Sequence, residues 1–262
     1  MPHIDLDTSS DLNKKTKILC TFGWRMALAG AETRLIMRCC HDMAKALHVI
    51  NPEFTLTRSF FLVRCCDGNS HYAERIAKIK SLGINMNSVT RLNFIANDVI
   101  SGEITDLDLI YHKIRAVRPA HYNKNMLIPI EAFAAAAFAY CNGGSATVCL
   151  AALIGGFMLM FFKFWLLKKG FFETFVFMAC AFLGCATTYI MCTYVLNASA
   201  DETRLAIMAT TLLLVPGFPY MNGFLDIFKG YLEIGVMRLI YSIILTACAA
   251  SGLLGALYLM WI

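Results

Sequence analysis

Beyond residue 125 the chain carries only twelve charged side chains, and most of them fall between long apolar runs rather than inside them. Apolar runs of this kind leave few choices of fold. About 20 mostly apolar residues in a helix cross the hydrocarbon core of a bilayer, and a helix satisfies its own N–H and C=O groups there. The runs predict a bundle of five transmembrane helices over about 127–142, 146–166, 172–196, 205–225 and 237–262. Two of the five are irregular. The first is short and holds Glu131, and the fourth is broken at Pro216-Gly217-Phe218-Pro219, residues 216–219.

The rest of the chain is different. Overall it is 58% hydrophobic and 16% charged, against roughly 45–50% and about 25% for an ordinary soluble domain. Yet residues 1–125 hold all six histidines and 17 of the 23 Lys and Arg side chains. The expected organisation is therefore an α+β cytoplasmic domain at 1–125 and a transmembrane domain at 126–262. The first residues are polar, so a cleavable leader is not expected. Eleven cysteines include no Cys-x-x-Cys pair. The adjacent pairs Cys39-Cys40 and Cys65-Cys66 read as reduced, structural residues of a domain facing the cytoplasm.

Loop charge predicts the orientation, since Lys and Arg near span ends stay cytoplasmic. Lys163, Lys168 and Lys169 follow the second span, and Lys229 and Arg238 lie between the fourth and fifth. The turns at residues 142–145 and 197–202 have no Lys or Arg. With five spans the N-terminus is cytoplasmic and Ile262 periplasmic.

Within the soluble part, apolar side chains from Ile18 to Ile50 (Phe22, Met26, Ala29, Ile36, Cys39, Met43, Ala46) recur at helical spacing. Residues 54–66 and 71–79 predict a two-stranded hairpin about Asp67-Gly68-Asn69. Residues 86–100 and 107–117 predict two more helices, the second capped by Thr105. No phosphate loop, zinc spacing or nucleophile elbow occurs, so the sequence offers no cofactor site, metal site or catalytic residue. A basic surface beside a membrane fits membrane lipids as its contact, not nucleic acid.

Chemistry concentrates at residues 212–238. Pro216, Gly217 and Pro219 interrupt a span, because proline removes a donor and crowds the preceding turn. Broken spans can expose backbone to a substrate or ion, or they can be simple kinks. Asn222 and Asp226 stand four apart on one helical face. Asp226 and Glu131 are the candidates for proton coupling, as ionisable groups near or within spans. Glu131 is alternatively a partner for Arg238. Arg238 either neutralises a substrate carboxylate or anchors its helix at the cytoplasmic rim. Glu32 and Arg34, in mid-helix on this reading, predict a surface ion pair.

These residues carry a resemblance. Pro216-Gly217-Phe218-Pro219, with Asn222, Asp226, Gly230, Gly235 and Arg238, resembles the Pro-Gly-x-Pro, Asn, Asp, Gly, Gly-x-x-Arg signature of the threonine/serine exporter family. Gly30-Ala31-Glu32-Thr33 resembles a Gly-Ala-Glu element of the family's cytoplasmic domain. Gly83-Ile84-Asn85-Met86 and Asn142-Gly143-Gly144 resemble two further elements, in family order. Two places depart from the pattern. Arg34-Leu35-Ile36 lacks an acidic residue, and Ala146-Thr147 stands where relatives often have one.

The resemblance implies the larger component of a split, two-component exporter of the bacterial inner membrane, of the kind implicated in succinate export. Its partner would be a separate small helical membrane protein, with a higher oligomer possible. The substrate would be a small carboxylate or an amino acid. The alternatives are a threonine/serine exporter subunit and a membrane-anchored metabolite sensor. An enzyme is not expected.

Overall fold

The computed structural model describes residues 6–66, 71–79, 83–120 and 122–260. Residues 67–69, the expected hairpin turn, and Ile262 lie outside the described residues. The protein is mostly helical, with a small three-stranded antiparallel sheet near the N-terminus. Two compact units divide it, and each takes two stretches of chain: Met1–His121 with Met221–Arg238, and Tyr122–Tyr220 with Leu239–Ile262.

In the first unit the helical stripe becomes two helices, α1 (Leu6–Leu28) and α2 (Thr33–Ala46). The reason is Gly30, at φ +82°. Ala31 N–H donates to the Met26 carbonyl and Gly30 N–H to the Ala27 carbonyl. This paired bond pattern ends a helix on a left-handed glycine. The expected hairpin is instead a meander of β1 (Ile50–Leu56), β2 (Phe60–Cys66) and β3 (Tyr72–Lys78), in the order β1-β2-β3. Thr57 and Ser59 supply the missed turn, with Thr57 Oγ1 accepting from the Ser59 and Phe60 amides. Phe61, Val63 and Cys65 alternate along one face of β2, all fully buried in a core with Ile18, Phe22 and Met26 of α1.

Two helices follow, α3 (Met86–Ile100) and α4 (Leu107–Ala116). Asp106, not Thr105, caps α4, accepting from the Asp108 and Leu109 amides. A carboxylate one residue nearer the first turn is the better acceptor for those donors. Arg25 of α1 holds the other end of α4, donating to the Ile114 and Val117 carbonyls at 2.7 Å each. Cys20, Cys40 and Cys65 are buried together in this core. Burial pushes the Cys20 thiol up to about 11, so it packs as a protonated, unreactive group.

The second unit contains α5 (Lys124–Cys141), α6 (Ala146–Lys168), α7 (Glu173–Ile190) and α8 (Ala200–Thr211). Five residues of π-helix, Met191–Val195, extend α7. The chain continues through α9 (Gly217–Phe228) and α10 (Leu232–Leu259), both of which run across the division between the units. Among the described residues three helical segments are long and apolar enough to cross a membrane: Ala146–Lys168, Glu173–Val195 and Leu232–Leu259. Ala200–Leu214 and Gly217–Phe228 form a fourth candidate, bent by 62°. Lys124, Asn125 and Glu131 dilute the 18 residues of α5, which is not among them.

The bend lies between Leu214 and Gly217, after one turn of 3-10 helix at Leu212–Leu214. Pro219 falls in the first turn of α9, where a missing N–H costs no intrahelical bond. Ser199 opens α8 in a reciprocal capping box with Glu202, so this helix starts five residues before the apolar run at Leu205. Ser145 Oγ also donates to Glu202 Oε1, at 2.6 Å.

Inside the bundle Thr188 and Thr210 are fully buried, with hydroxyls 3.0 Å apart. Gly155 of α6 faces them, and a methyl group there would collide with the Thr188 hydroxyl. Small residues are what let spanning helices approach this closely. Gly155→Leu is therefore expected to cost roughly 1–3 kcal/mol by overpacking. A lowered melting temperature of the detergent-purified protein would show it, and an unchanged one would refute the close fit.

Candidate functional site

The candidate site is built where α1, α2, α9 and α10 meet inside the first unit. The Gly30–Thr33 turn is its floor. Gly83 N–H donates to the Leu28 carbonyl and Asn85 N–H to the Ala29 carbonyl, so the Gly83-Ile84-Asn85 stretch lies alongside that turn. The Asn85 side chain caps α3 through the Ser88 amide and donates to the Ala120 carbonyl at 3.0 Å.

Across the turn come the side chains of Met221–Arg238. Asn222 Nδ2 donates to the Gly30 carbonyl at 3.1 Å. Asp226 and Arg238 form a salt bridge of 2.7 Å, with side chains 0% and 4% exposed. The other Asp226 oxygen accepts the Thr33 N–H at 3.2 Å, and Arg238 Nη2 reaches the Ala31 carbonyl at 3.4 Å. Thr33 is the first residue of α2, and Glu32 at the N-cap makes no side-chain cap bond. A carboxylate from 193 positions further along the chain thus serves as the anion at the N-terminus of α2, where the helix dipole favours negative charge. Glu32 instead pairs with Lys229. Ile234, 3% exposed, enters the core formed by α1–α4.

Of the residues singled out by sequence, Asn222, Asp226 and Arg238 are brought together. Arg238 takes Asp226 as its partner, rather than Glu131. Glu131 is half-buried in the second unit, where Lys163 of α6 lies in its field and in that of Glu173. Pro216, Gly217 and Pro219 also belong to the second unit. Glu32 does not pair with Arg34, because the turn at Gly30 aims it at Lys229. Sequence reasoning missed the contribution of Glu32 and Lys229. The signal for it was Gly30 itself, a helix terminator in mid-stripe.

Among the described residues no group of His, Cys, Asp and Glu is placed to hold a metal ion. What the arrangement can do is hold two segments by a buried charge pair, and offer a guanidinium and an amide to an anion when that pair opens.

Helices long and apolar enough to cross a membrane, together with a bent fourth candidate, define the class as a membrane protein. A family profile described as "Putative threonine/serine exporter" matches residues 17–260, and the chain belongs to that family. It is similar to the "Probable succinate transporter subunit YjjP" of Klebsiella aerogenes, 27% identical over 235 residues, covering 88% of each chain. It is 25% identical over 245 residues to the protein of the same name from Escherichia coli K12, covering 92% of this chain and 93% of the relative. An uncharacterized protein of Haemophilus influenzae is 25% identical over 120 residues, which is 46% of this chain and 40% of that one. No solved structure matches.

Proposed function

We propose that the chain is the larger subunit of a two-component secondary exporter that moves a small carboxylate, with succinate as the substrate, across the bacterial inner membrane. The observation that carries this reading is the buried Asp226–Arg238 pair beside Asn222, in a chain similar over nearly its whole length to proteins named as succinate transporter subunits. A guanidinium suits a carboxylate because its donors match the two oxygens. In the closed arrangement Asp226 occupies that role, and the substrate takes it over when the pair opens. Asp226, released, and Glu131 in the second unit are the groups that would carry a coupling proton.

The word subunit in the relatives' names supports a separate partner, and a small helical membrane protein of the same family fits the role. Five spans, with a cytoplasmic N-terminus and a periplasmic C-terminus, keep Lys168, Lys169 and Lys229 on the cytoplasmic side. The family description favours a second reading, in which the substrate is threonine or serine.

Counterflow in vesicles tests these readings, using labelled succinate, threonine or serine with and without the small partner. Succinate exchange that needs both components is the expected result. Exchange of the amino acids alone would move the assignment to the second reading. Absence of any flux with both components present would end the exporter reading.

A further inference from the structure

We propose that a pocket lined by Arg34, Leu35, Arg38, Glu32 and Lys229 binds a small dicarboxylate from the cytosol, and that Glu32 is the built-in carboxylate the ligand displaces from Lys229. The pocket, of about 280 Å³, lies wholly inside the first unit. That is close to the lower end of the ~300–1,000 Å³ of small-molecule sites, which suits a metabolite of few atoms.

Its lining holds three cations and one carboxylate, an excess that matches a dianion. Arg34 and Arg38 are four apart on α2 and share a face. Both are exposed, and neither makes a hydrogen bond or ion pair among the described residues. Two free guanidinium groups side by side can each take a carboxylate in a two-pronged bond. Leu35 between them offers an apolar patch to a short methylene chain.

The second observation is that a carboxylate already sits in this pocket. Glu32 is ion-paired to Lys229, and both side chains are about one quarter exposed, at 24% and 27%. A solvated pair of this kind contributes little, typically ~0–1 kcal/mol, so a ligand that also engages two arginines competes with it. Displacement has a consequence for the adjoining residues. Glu32 lies between Ala31, whose carbonyl faces Arg238, and Thr33, whose N–H holds Asp226. Moving Glu32 loads the turn that keeps the Asp226–Arg238 pair closed. The pocket therefore reads cytosolic dicarboxylate and passes its occupancy to the pair, a role that rests on the exporter reading, whereas the binding itself does not.

The test is equilibrium binding of labelled succinate to the full-length subunit in detergent, with threonine and inorganic phosphate as competitors. Arg34→Gln with Arg38→Gln is expected to weaken binding by roughly tenfold or more, the scale of one lost charge-assisted hydrogen bond. Glu32→Gln is expected to tighten it several-fold, because the internal competitor loses its charge. Threonine should not compete. All three substitutions alter partly or fully exposed side chains, and an unchanged melting temperature verifies that the two variants are folded.

No succinate binding by the unaltered subunit, unchanged affinity in the double variant, or weaker binding in Glu32→Gln would each overturn the proposal. Equal competition by phosphate would overturn the dicarboxylate class. The vesicle assay separates the two ideas. Flux without Arg34- and Arg38-dependent binding removes the pocket and leaves the exporter, whereas the reverse removes the exporter and leaves the pocket.

Discussion

Replacing Asp226 by alanine is expected to destabilise the first unit by roughly 3–5 kcal/mol, because it leaves a buried arginine without its counter-charge. Arg238 is 4% exposed, so little solvent is at hand to replace the lost carboxylate. The same substitution leaves the Thr33 N–H at the start of α2 without its acceptor. Loss of monodisperse, folded protein on size-exclusion chromatography, or a large drop in melting temperature, would register the effect.

The informative companion is a double variant, Asp226→Leu with Arg238→Met, which removes both charges and keeps the volume. Buried pairs replaced in this way are often neutral in stability, so the fold should recover much of the loss. Transport should not recover. A double variant that is folded and still exchanges substrate would reduce the pair to a structural clasp and take Arg238 out of the transport proposal.

The second large effect is expected at Gly30. Its φ of +82° is one that costs an L-residue about 1–2 kcal/mol, and a β-branched residue is a true outlier there. A methyl group would also run into the backbone carbonyl oxygen of Gly83, and backbone cannot swing aside as a side chain does. Gly30→Val is accordingly expected to cost about 3 kcal/mol or more, and Gly30→Ala less.

Gly102 provides the control. It has a similar φ of +80° but nothing within 4 Å of an added methyl. The difference in melting temperature between Gly30→Ala and Gly102→Ala isolates the contact with Gly83. Equal shifts would show that this contact is soft. Because the Gly30 carbonyl accepts from Asn222, flux should fall with stability at Gly30 and stay unchanged at Gly102.

What could be read from sequence was whatever repeats locally. Apolar runs without charge announced α6, α7 and α10, and proline with glycine announced the break before α9. The interruption at Gly30 was harder, since Ile36, Cys39 and Met43 continue the helical spacing after a gap. Side-chain periodicity does not register a left-handed residue. The turn between β1 and β2 escaped notice because residues 54–66 favour strand throughout. The bonds that mark it, from the Ser59 and Phe60 amides to the Thr57 hydroxyl and from the Thr57 amide to the Phe60 carbonyl, leave no pattern in the sequence.

The pairings Glu32 with Lys229 and Thr33 with Asp226 join positions almost 200 residues apart. No local pattern encodes them. The resemblance did point to the Gly30, Gly83 and Asp226 stretches separately, and their convergence on one turn is the structural reason for reading them together.

Assembly of the first unit from Met1–His121 and Met221–Arg238 sets an order of events during biosynthesis. Residues 122–220 must be made before the closing segment exists. At ~5–20 residues per second this is a wait of roughly 5–20 s. Throughout it the nascent N-terminal part lacks Ile234 in its core and an anion at the head of α2. Most of the long apolar helices are synthesised while that part is unfinished, so completion of the first unit comes after their emergence. Any chain released by the ribosome before Arg238 would carry an open N-terminal core, a mark that a protease could recognise.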